Sequence, residues 1–293
     1  MLPLYPNFIP VSLDLQEQMQ NLTLKSKTSV SVFTFANLYL FRNKYNFKAT
    51  LLENNLLIAG TYKGKTFFSI PGKIPQKEIL MELLKKYDFW RSISAEQAAK
   101  IKTLLPNETI SEDRNNFEYL YLRTELAELP GRNFQKKRNL VNTFIKTYSP
   151  QNIEKKVLGK KNIKDALRVL DKWKLGKNAK GDYDSAKEAL DLHEVLGFSG
   201  MVFYVGGVPV AYCQGEALAN GKSFAVHFEK AVDDYKGIYQ YVNQEFAKTI
   251  PEDIACINRE QDLGDSGLRQ AKMTYRPVDF VKLFSIISPP FIP

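Results

Sequence analysis

Residues 258–272 have the sequence NREQDLGDSGLRQAK, a densely charged stretch with two glycines. The stretch follows a short apolar run at 254–257 that is typical of a buried strand, and the apolar-periodic segment after it predicts a helix. Burying an unpaired charge is costly, so these charges must face solvent, each other or a ligand. Because sites in α/β folds tend to form at strand ends, the stretch is a candidate functional site.

Length and composition predict a globular protein of two domains. The chain has 293 residues, and 44% of them are hydrophobic, which is enough for two cores. No apolar run is long enough to predict a transmembrane helix, and the N-terminus lacks the pattern of a secretory signal. We therefore expect a cytoplasmic protein. Cys213 and Cys256 lie in apolar, strand-like runs and are expected to be buried free thiols, and the spacing of Cys and His predicts no metal site.

The chain is basic, with a net charge of +9. This charge favours an anionic partner such as tRNA, a phosphate-bearing cofactor or an acidic membrane surface, although it could also serve solubility alone. Arg132, Lys136, Lys137 and Arg138 crowd the start of a helix predicted over 132–148. Cations there oppose the helix macrodipole, which adds support for an anion-facing role, and a solvated basic face is the alternative.

The order of predicted elements in the second half is that of a GNAT-type acyltransferase core. These elements are a hairpin at 201–212, a strand at 223–228, a loop at 232–237, a helix at about 238–249, a strand at 255–257, the charged stretch with its helix, and a strand at 281–287. In a GNAT core, a splayed strand exposes main-chain groups to the acyl donor, and the next helix N-terminus holds phosphate. The first half also shows strands, then helices, then a strand. We therefore predict an α/β fold with mixed sheets, duplicated as domains 1–150 and 151–293.

Six motifs support a more specific family. They are GRNFQKKRN at 131–139, DYDS at 182–185, HFEKA at 227–231, YKGIY at 235–239, NREQDLG at 258–264 and GLRQAK at 267–272. In this order they resemble a bacterial family of unassigned function that is related to the C-terminal domain of phosphatidylglycerol lysyltransferase. The resemblance extends from about residue 33 to 277. It implies two tandem GNAT-like domains, similar to aminoacyltransferases that take their donor from aminoacyl-tRNA.

Acyl transfer requires a base for the acceptor, donors for the developing oxyanion and a grip on the acyl donor. Glu229, at a strand end, is the first candidate for the base or for binding an ammonium group, and Asp262 and Glu260 are its rivals. Arg269 and Lys272 could stabilise developing charge. Residues that could hold a donor phosphate are Lys236 and Gly237, at a predicted helix start, together with Arg259.

Alternatives remain for several of these residues. The charged stretch could be an ion-pair network that only fixes the loop. His227 and Glu229 point to the same face of a strand and could form a catalytic pair, although a structural role for His227 is the alternative, and His193 is expected to be structural.

The function predicted from these residues is transfer of an acyl or aminoacyl group to an amine or hydroxyl of a small molecule or peptide. Aminoacyl-tRNA is the expected donor, acyl-CoA is the second choice, and no further cofactor is required. The basic helix would then contact tRNA. The alternative is a non-catalytic binder of an anionic ligand on a degenerate GNAT scaffold.

Overall fold

The computed structural model describes residues 1–176 and 181–287. The strands are β1 (Ile9–Pro10), β2 (Lys48–Leu52), β3 (Asn55–Tyr62), β4 (Lys65–Ser69), β5 (Phe89–Ser94), β6 (Ile110–Glu112), β7 (Glu118–Leu122), β8 (Ile153–Val157), β9 (Ser199–Val205), β10 (Val208–Ala217), β11 (Ser223–Ala231), β12 (Cys256–Asn258), β13 (Asp279–Val281) and β14 (Leu283–Ile287). The helices are α1 (Gln16–Ser26), α2 (Phe35–Leu40), α3 (Arg42–Tyr45), α4 (Lys77–Lys86), α5 (Ala95–Leu104), α6 (Arg123–Glu128), α7 (Gln135–Tyr148), α8 (Ile163–Leu175), α9 (Tyr183–Asp191), α10 (Ile238–Thr249) and α11 (Ser266–Met273). Among these helices, none has the length and apolar character needed to cross a membrane.

The strands form two sheets of seven with matching topology. Their orders are β1-β2-β3-β4-β5-β14-β6 and β8-β9-β10-β11-β12-β7-β13. Each sheet contains one parallel pair at the same position, β4 with β5 and β11 with β12, and its other neighbouring strands are antiparallel. This correspondence supports the prediction of a duplicated unit.

The two halves exchange one strand each at equivalent positions. β14, from the end of the chain, lies between β5 and β6 in the first sheet, and β7, from the first half, lies between β12 and β13 in the second. The strands therefore do not divide between the sheets at residue 150. The domain boundary there stays a prediction, and the exchange ties the two halves together through main-chain hydrogen bonds.

Local sequence explains the elements that carry the second half. The alternation of apolar residues around Gly206-Gly207 forms the predicted β9–β10 hairpin, with both glycines at positive φ. Helix α10 has the predicted bounds and buries Val242 and Phe246 against the second sheet. Helix α11 starts after Asp265, whose carboxylate caps the Leu268 N–H at 2.7 Å.

The parallel pair of the second sheet separates soon after it forms. β11 and β12 are paired only from Ser223 with Cys256 to Ala225 with Asn258. β12 ends there, while β11 continues to Ala231. Among the described strands, none pairs with the rest of β11 on that side, as expected for a splayed strand. This gap positions the candidate site.

Candidate functional site

A cavity of about 660 Å³ lies between the two sheets, where β11 and β12 separate. The second sheet contributes residues of β11 and the segment after β12, and the first sheet contributes residues of β3, β4 and β5. The polar residues of the second half that line the cavity are Asp182, His227, Glu229, Lys230, Arg259, Glu260, Gln261, Asp265 and Lys272. The charged stretch thus converges with β11 on one hollow.

Glu229 and Arg259 form an ion pair on the wall of this cavity. Arg259 Nη2 donates to Glu229 Oε1 at 2.8 Å, and the two side chains are only 10% and 16% exposed. Burial alone would lower the pKa of Arg259, but the neighbouring Glu229 carboxylate outweighs it and raises the pKa. The predicted base candidate is therefore held in place by a cation that was predicted to bind phosphate.

His227 lies between two carboxylates rather than beside Glu229. Its Nδ1 is 2.8 Å from Glu260 Oε1, its Nε2 is 2.9 Å from Glu216 Oε1, and its side chain is 3% exposed. Burial alone would lower the pKa of His227, but the Glu260 and Glu216 carboxylates raise it to about 10. A protonated imidazole thus bridges two acids and fixes one oxygen of Glu260 at the cavity. The His227–Glu229 pair, one of the two alternatives for His227, is therefore not formed: both ring nitrogens are bonded to other acids.

Lys272 lies at the cavity wall with its ammonium group directed at main-chain oxygens. Its Nζ donates to the carbonyls of Arg259, Glu260 and Gln261 at 2.5, 3.0 and 2.6 Å. An ammonium group has three N–H donors, so these bonds use all of them. Burial, and then the neighbouring Arg259, lower its pKa to about 8.

Asp262 and Arg269 lie together, but neither is among the described residues that line the cavity. The Asp262 side chain is fully buried, and its oxygens accept hydrogen bonds from Arg269 at 2.8 Å, from the Tyr119 hydroxyl at 2.5 Å and from Arg114 at 3.2 Å. Burial alone would raise the pKa of Asp262, but Arg269 and then Tyr119 hold it well below its usual range. For Asp262 and Arg269, the contacts are therefore those of the alternative given above, an ion-pair network that fixes the loop.

Glu118 is a buried acid that the sequence pattern did not bring out. Its side chain, on β7, is fully buried and accepts hydrogen bonds from Ser31, Asn258 and Gln261. Burial raises its pKa to about 7, against the lowering effect of these donors. One feature of the sequence could have identified it. Glu118 is the single acid in the run 117–121, FEYLY, which predicts a strand and is otherwise apolar or aromatic.

The loop before α10 is packed against α7. Gly237 has φ +89°, and a Cβ added there would lie 2.3 Å from the carbonyl oxygen of Leu140. Tyr235 packs on Tyr148 with ring centroids 5.1 Å apart. Lys236 is exposed, and neither it nor Gly237 is among the described residues that line the cavity. The predicted phosphate position at this helix start is therefore partly covered by α7.

The four basic residues predicted to contact nucleic acid separate into two pairs. Arg138 donates to the carbonyl oxygens of Leu129 and Gly131, and Lys137 lies 4.0 Å above the Tyr275 ring. Arg132 and Lys136 are exposed. The first pair fixes α7 to its neighbours, and the second is accessible to a partner. The helix itself begins at Gln135, because residues 132–134 form a 3-10 turn.

The first half of the chain supplies two cations to the cavity that the sequence pattern did not predict. They are Arg91, on β5, and Lys44, on α3. The Arg91 guanidinium lies 5.0–5.5 Å from the ring centroids of Tyr45, Tyr62 and Phe67. Within the described parts of the chain, neither cation forms an ion pair with an acid. A neighbouring residue, Ser92, is buried at φ +57°, a strained conformation of the kind found at functional sites.

The remaining predicted residues are accounted for by local contacts. His193 is buried with Nδ1 2.9 Å from Gln214 Oε1, as expected for a structural histidine. Both cysteines are free; Cys213 is buried, whereas Cys256 is only partly buried. Across residues 1–176 and 181–287, no group of three or more His, Cys, Asp or Glu side chains is arranged to hold a metal ion.

A family model described as "Phosphatidylglycerol lysyltransferase, C-terminal" matches residues 25–287, nearly the whole chain. The chain belongs to this family. This confirms the resemblance predicted from the motifs.

Individual relatives agree with the family. A conserved protein of unknown function from Bacteroides thetaiotaomicron is 29% identical, with 98% of this chain and 100% of that chain covered and a TM-score of 0.87. L-PGS from Bacillus licheniformis is 12% identical, with 94% and 93% covered and a TM-score of 0.66, so this likeness shows the fold alone. An uncharacterized protein of Mycoplasmoides gallisepticum is 26% identical over 194 residues, which are 64% of this chain and 60% of that protein's length.

The fold class is confirmed by these comparisons. The structure has two mixed sheets, as predicted, and a tandem GNAT protein from the clavulanic acid biosynthesis pathway shares the fold at 7% identity with a TM-score of 0.50. Family and fold together relate the chain to aminoacyltransferases.

Proposed function

We propose that the protein transfers an aminoacyl group from aminoacyl-tRNA to an acceptor that carries a hydroxyl or amine. The observation that carries this proposal is the cavity between the sheets, where Glu229, Arg259 and Glu260 meet beside the splayed part of β11. The family supports the reaction class, because its members are named for transfer of a lysyl group.

The proposed reaction breaks the ester between the aminoacyl carbonyl and the tRNA ribose. The acceptor oxygen or nitrogen attacks that carbonyl, its proton passes to a carboxylate, and the ribose oxygen leaves and takes a proton. We assign these roles to Glu229 and Glu260. The other two cavity carboxylates have local partners, since Asp182 binds Lys230 and Asp265 caps α11. Each of the two assigned acids is oriented by a buried cation, Glu229 by Arg259 and Glu260 by protonated His227. One binds the ammonium of the aminoacyl group, and the other accepts the acceptor's proton.

The packing of α7 favours aminoacyl-tRNA over acyl-CoA as the donor. A CoA donor would place its pyrophosphate at the N-terminus of α10, where N–H groups and the helix dipole attract anions. Here, Leu140 and Phe144 of α7 approach Gly237 too closely for even a Cβ. An aminoacyl ester of tRNA needs only its terminal nucleotide and amino acid to enter the cavity.

Arg132 and Lys136 are the proposed tRNA contacts. Both are exposed near the start of α7, while their neighbour Lys137 packs on Tyr275. Tyr275 in turn lies 5.4 Å from the Arg259 guanidinium at the cavity. The exposed cations are thus near the cavity wall, as a tRNA acceptor end would require.

Phosphatidylglycerol is the acceptor that the family name suggests. It offers a free hydroxyl and a phosphate. The phosphate suits Arg91 and Lys44, the two first-half cations at the cavity, which form no ion pair with any acid that the structure describes. A soluble anionic amine or alcohol would suit the same wall, so both kinds of acceptor belong in the test.

The test measures transfer of radiolabelled amino acids from a pool of charged tRNA. Acceptors are phosphatidylglycerol vesicles and, separately, small phosphorylated alcohols and amines. We expect Glu229→Gln and Glu260→Gln each to lose at least about 100-fold in rate, the scale of a lost acid–base group. The matched control is Glu252→Gln, at an exposed position with no such contacts. If the wild type transfers nothing to any acceptor yet still binds charged tRNA or an anionic ligand, the protein is a binder and the proposal fails.

A further inference from the structure

The segment Arg259 to Gln261 has an irregular backbone at the cavity wall. It connects β12 to the loop before α11, and Glu260 adopts φ +57°, a left-handed conformation that is unfavourable for a residue with a side chain. All three side chains line the cavity. Their directions depend on this backbone, so something must hold it against the strain.

The segment is held through its carbonyl groups. The Lys272 ammonium donates to the carbonyl oxygens of all three residues, at 2.5, 3.0 and 2.6 Å. Lys272 is on α11, which is anchored in turn by the buried Asp262 through Arg269. A positive charge bound by three consecutive carbonyls fixes their directions more firmly than any one hydrogen bond would.

The segment is also held through two side-chain amides. Asn258 Nδ2 and Gln261 Nε2 donate to the buried Glu118 carboxylate at 2.5 and 2.9 Å. The Oδ1 atom of the same Asn258 accepts the Glu260 N–H at 2.8 Å. Ser31, from the first half of the chain, donates to Glu118 through its N–H and hydroxyl groups. Glu118 therefore connects Ser31 to the segment at the cavity wall.

We propose that Lys272 and Glu118 are positioning residues that clamp the segment, Lys272 through its carbonyls and Glu118 through the side-chain amides of Asn258 and Gln261, and thereby aim Arg259 and Glu260 into the cavity. Lys272 has no N–H left for a substrate, so it acts through the backbone rather than on the reacting atoms. The proposal concerns the backbone itself. Only its kinetic consequence rests on the proposed function.

The clamp predicts a local response when the Lys272 ammonium is removed. Lys272→Met keeps the length of the side chain but removes the ammonium from three carbonyls, and of these the Glu260 carbonyl still accepts from the Tyr119 N–H at 3.3 Å. The strained segment should then open more often. Lys222→Met is the matched control, because Lys222 is exposed and its ammonium has no such contacts. Glu118→Gln tests the contacts that Glu118 makes with the side-chain amides of Asn258 and Gln261.

Hydrogen–deuterium exchange of the full-length protein tests the proposal without any assay of activity. We expect amides at 258–264 to exchange at least about tenfold faster in the Lys272→Met and Glu118→Gln variants, with β9 and β10 unchanged, and no change in Lys222→Met. If Lys272→Met does not fold, Lys272→Arg serves instead, since one guanidinium nitrogen cannot donate to three carbonyls; a smaller but still local acceleration is expected. Unchanged exchange at 258–264 in the folded variants, or an equal rise throughout the protein, would overturn the clamp.

Kinetics separate this proposal from the proposed function. If the protein transfers aminoacyl groups, Lys272→Met should lower kcat more than it raises KM, because the reacting carboxylate and its cation are misaligned while the cavity remains. A local rise in exchange in a protein without transfer activity supports the clamp and rejects the function. Transfer activity with no change in exchange supports the function and rejects the clamp.

Discussion

The Arg259 guanidinium donates to the Glu229 carboxylate at 2.8 Å across the gap where β11 and β12 separate. Arg259 belongs to the charged stretch and Glu229 to the strand, so this one ion pair joins the two parts of the sequence that predicted a site. The pair is largely buried, so removing either side chain leaves the other as an uncompensated buried charge, which destabilises the folded protein.

A double-mutant cycle should show this coupling. Arg259→Met leaves the Glu229 carboxylate buried without its cation, and we expect it to destabilise the fold by about 3–5 kcal/mol. Adding Glu229→Gln to Arg259→Met should recover part of that loss, because the uncompensated charge is gone. Urea unfolding of the wild type, both single variants and the double variant gives the interaction energy. Additive losses would show that the two side chains act independently.

His227 should make stability depend on alkaline pH. Its pKa is raised to about 10 in the folded protein, against about 6.5 when unfolded, by Glu260 and Glu216. The stabilisation is therefore fully present below pH 6.5 and is lost as the pH rises through 10, to an upper bound of about 5 kcal/mol. His227→Gln should show a flatter fall in unfolding free energy between pH 6.5 and 10 than the wild type. Parallel curves would contradict the buried imidazolium.

Gly237 should be required for packing rather than for binding a phosphate. Gly237→Ala places a Cβ 2.3 Å from the Leu140 carbonyl at a positive φ, and we expect a loss of about 2 kcal/mol or more in stability. Gly207→Ala is the matched control: its φ is +76°, but nothing lies within 4 Å of the added Cβ, so only the cost of the backbone conformation, about 1 kcal/mol, should appear. Equal thermal stability of the two variants would contradict the close packing of α7 on this loop.

Only two of the four predicted basic residues on or before α7 should contribute to tRNA affinity. Arg132→Ala with Lys136→Ala should weaken binding and reduce the slope of log affinity against log salt by up to about 2, since each phosphate contact contributes slightly less than 1. Arg138→Ala should instead lower stability, because its guanidinium holds the carbonyls of Leu129 and Gly131. Fluorescence anisotropy with tRNA over a salt series measures the slope. An unchanged slope in the double variant would remove this surface from the tRNA interface.

Local patterns were sufficient for much of the second half. Alternating apolar residues about two glycines predicted the β9–β10 hairpin, and helical periodicity predicted α10 at its observed bounds. The strand exchange could not be predicted from the sequence, because β7 pairs with β12 and β14 pairs with β5, and both partners are distant along the chain. Local propensity does not encode which distant strand fills a position in a sheet.

The site was predictable by residue type but not by role. The charged stretch and β11 do converge on one cavity, yet charge alone could not distinguish Arg259, which holds a cavity carboxylate, from Arg269, which binds the buried Asp262. Lys272 was predicted to stabilise developing charge, because its main-chain acceptors leave no trace in the sequence. Glu118 was not singled out, because its partners Ser31 and Asn258 lie 87 and 140 positions away along the chain.

The most direct test of the account is a crystal structure of the protein with a stable amide analogue of the charged tRNA end, such as 3′-deoxy-3′-(lysylamino)adenosine. We predict that the aminoacyl group occupies the cavity between the sheets, with its ammonium within hydrogen-bond distance of Glu229 or Glu260. Binding elsewhere on the protein, or an empty cavity at saturating analogue, would contradict the assignment of this cavity as the aminoacyl site.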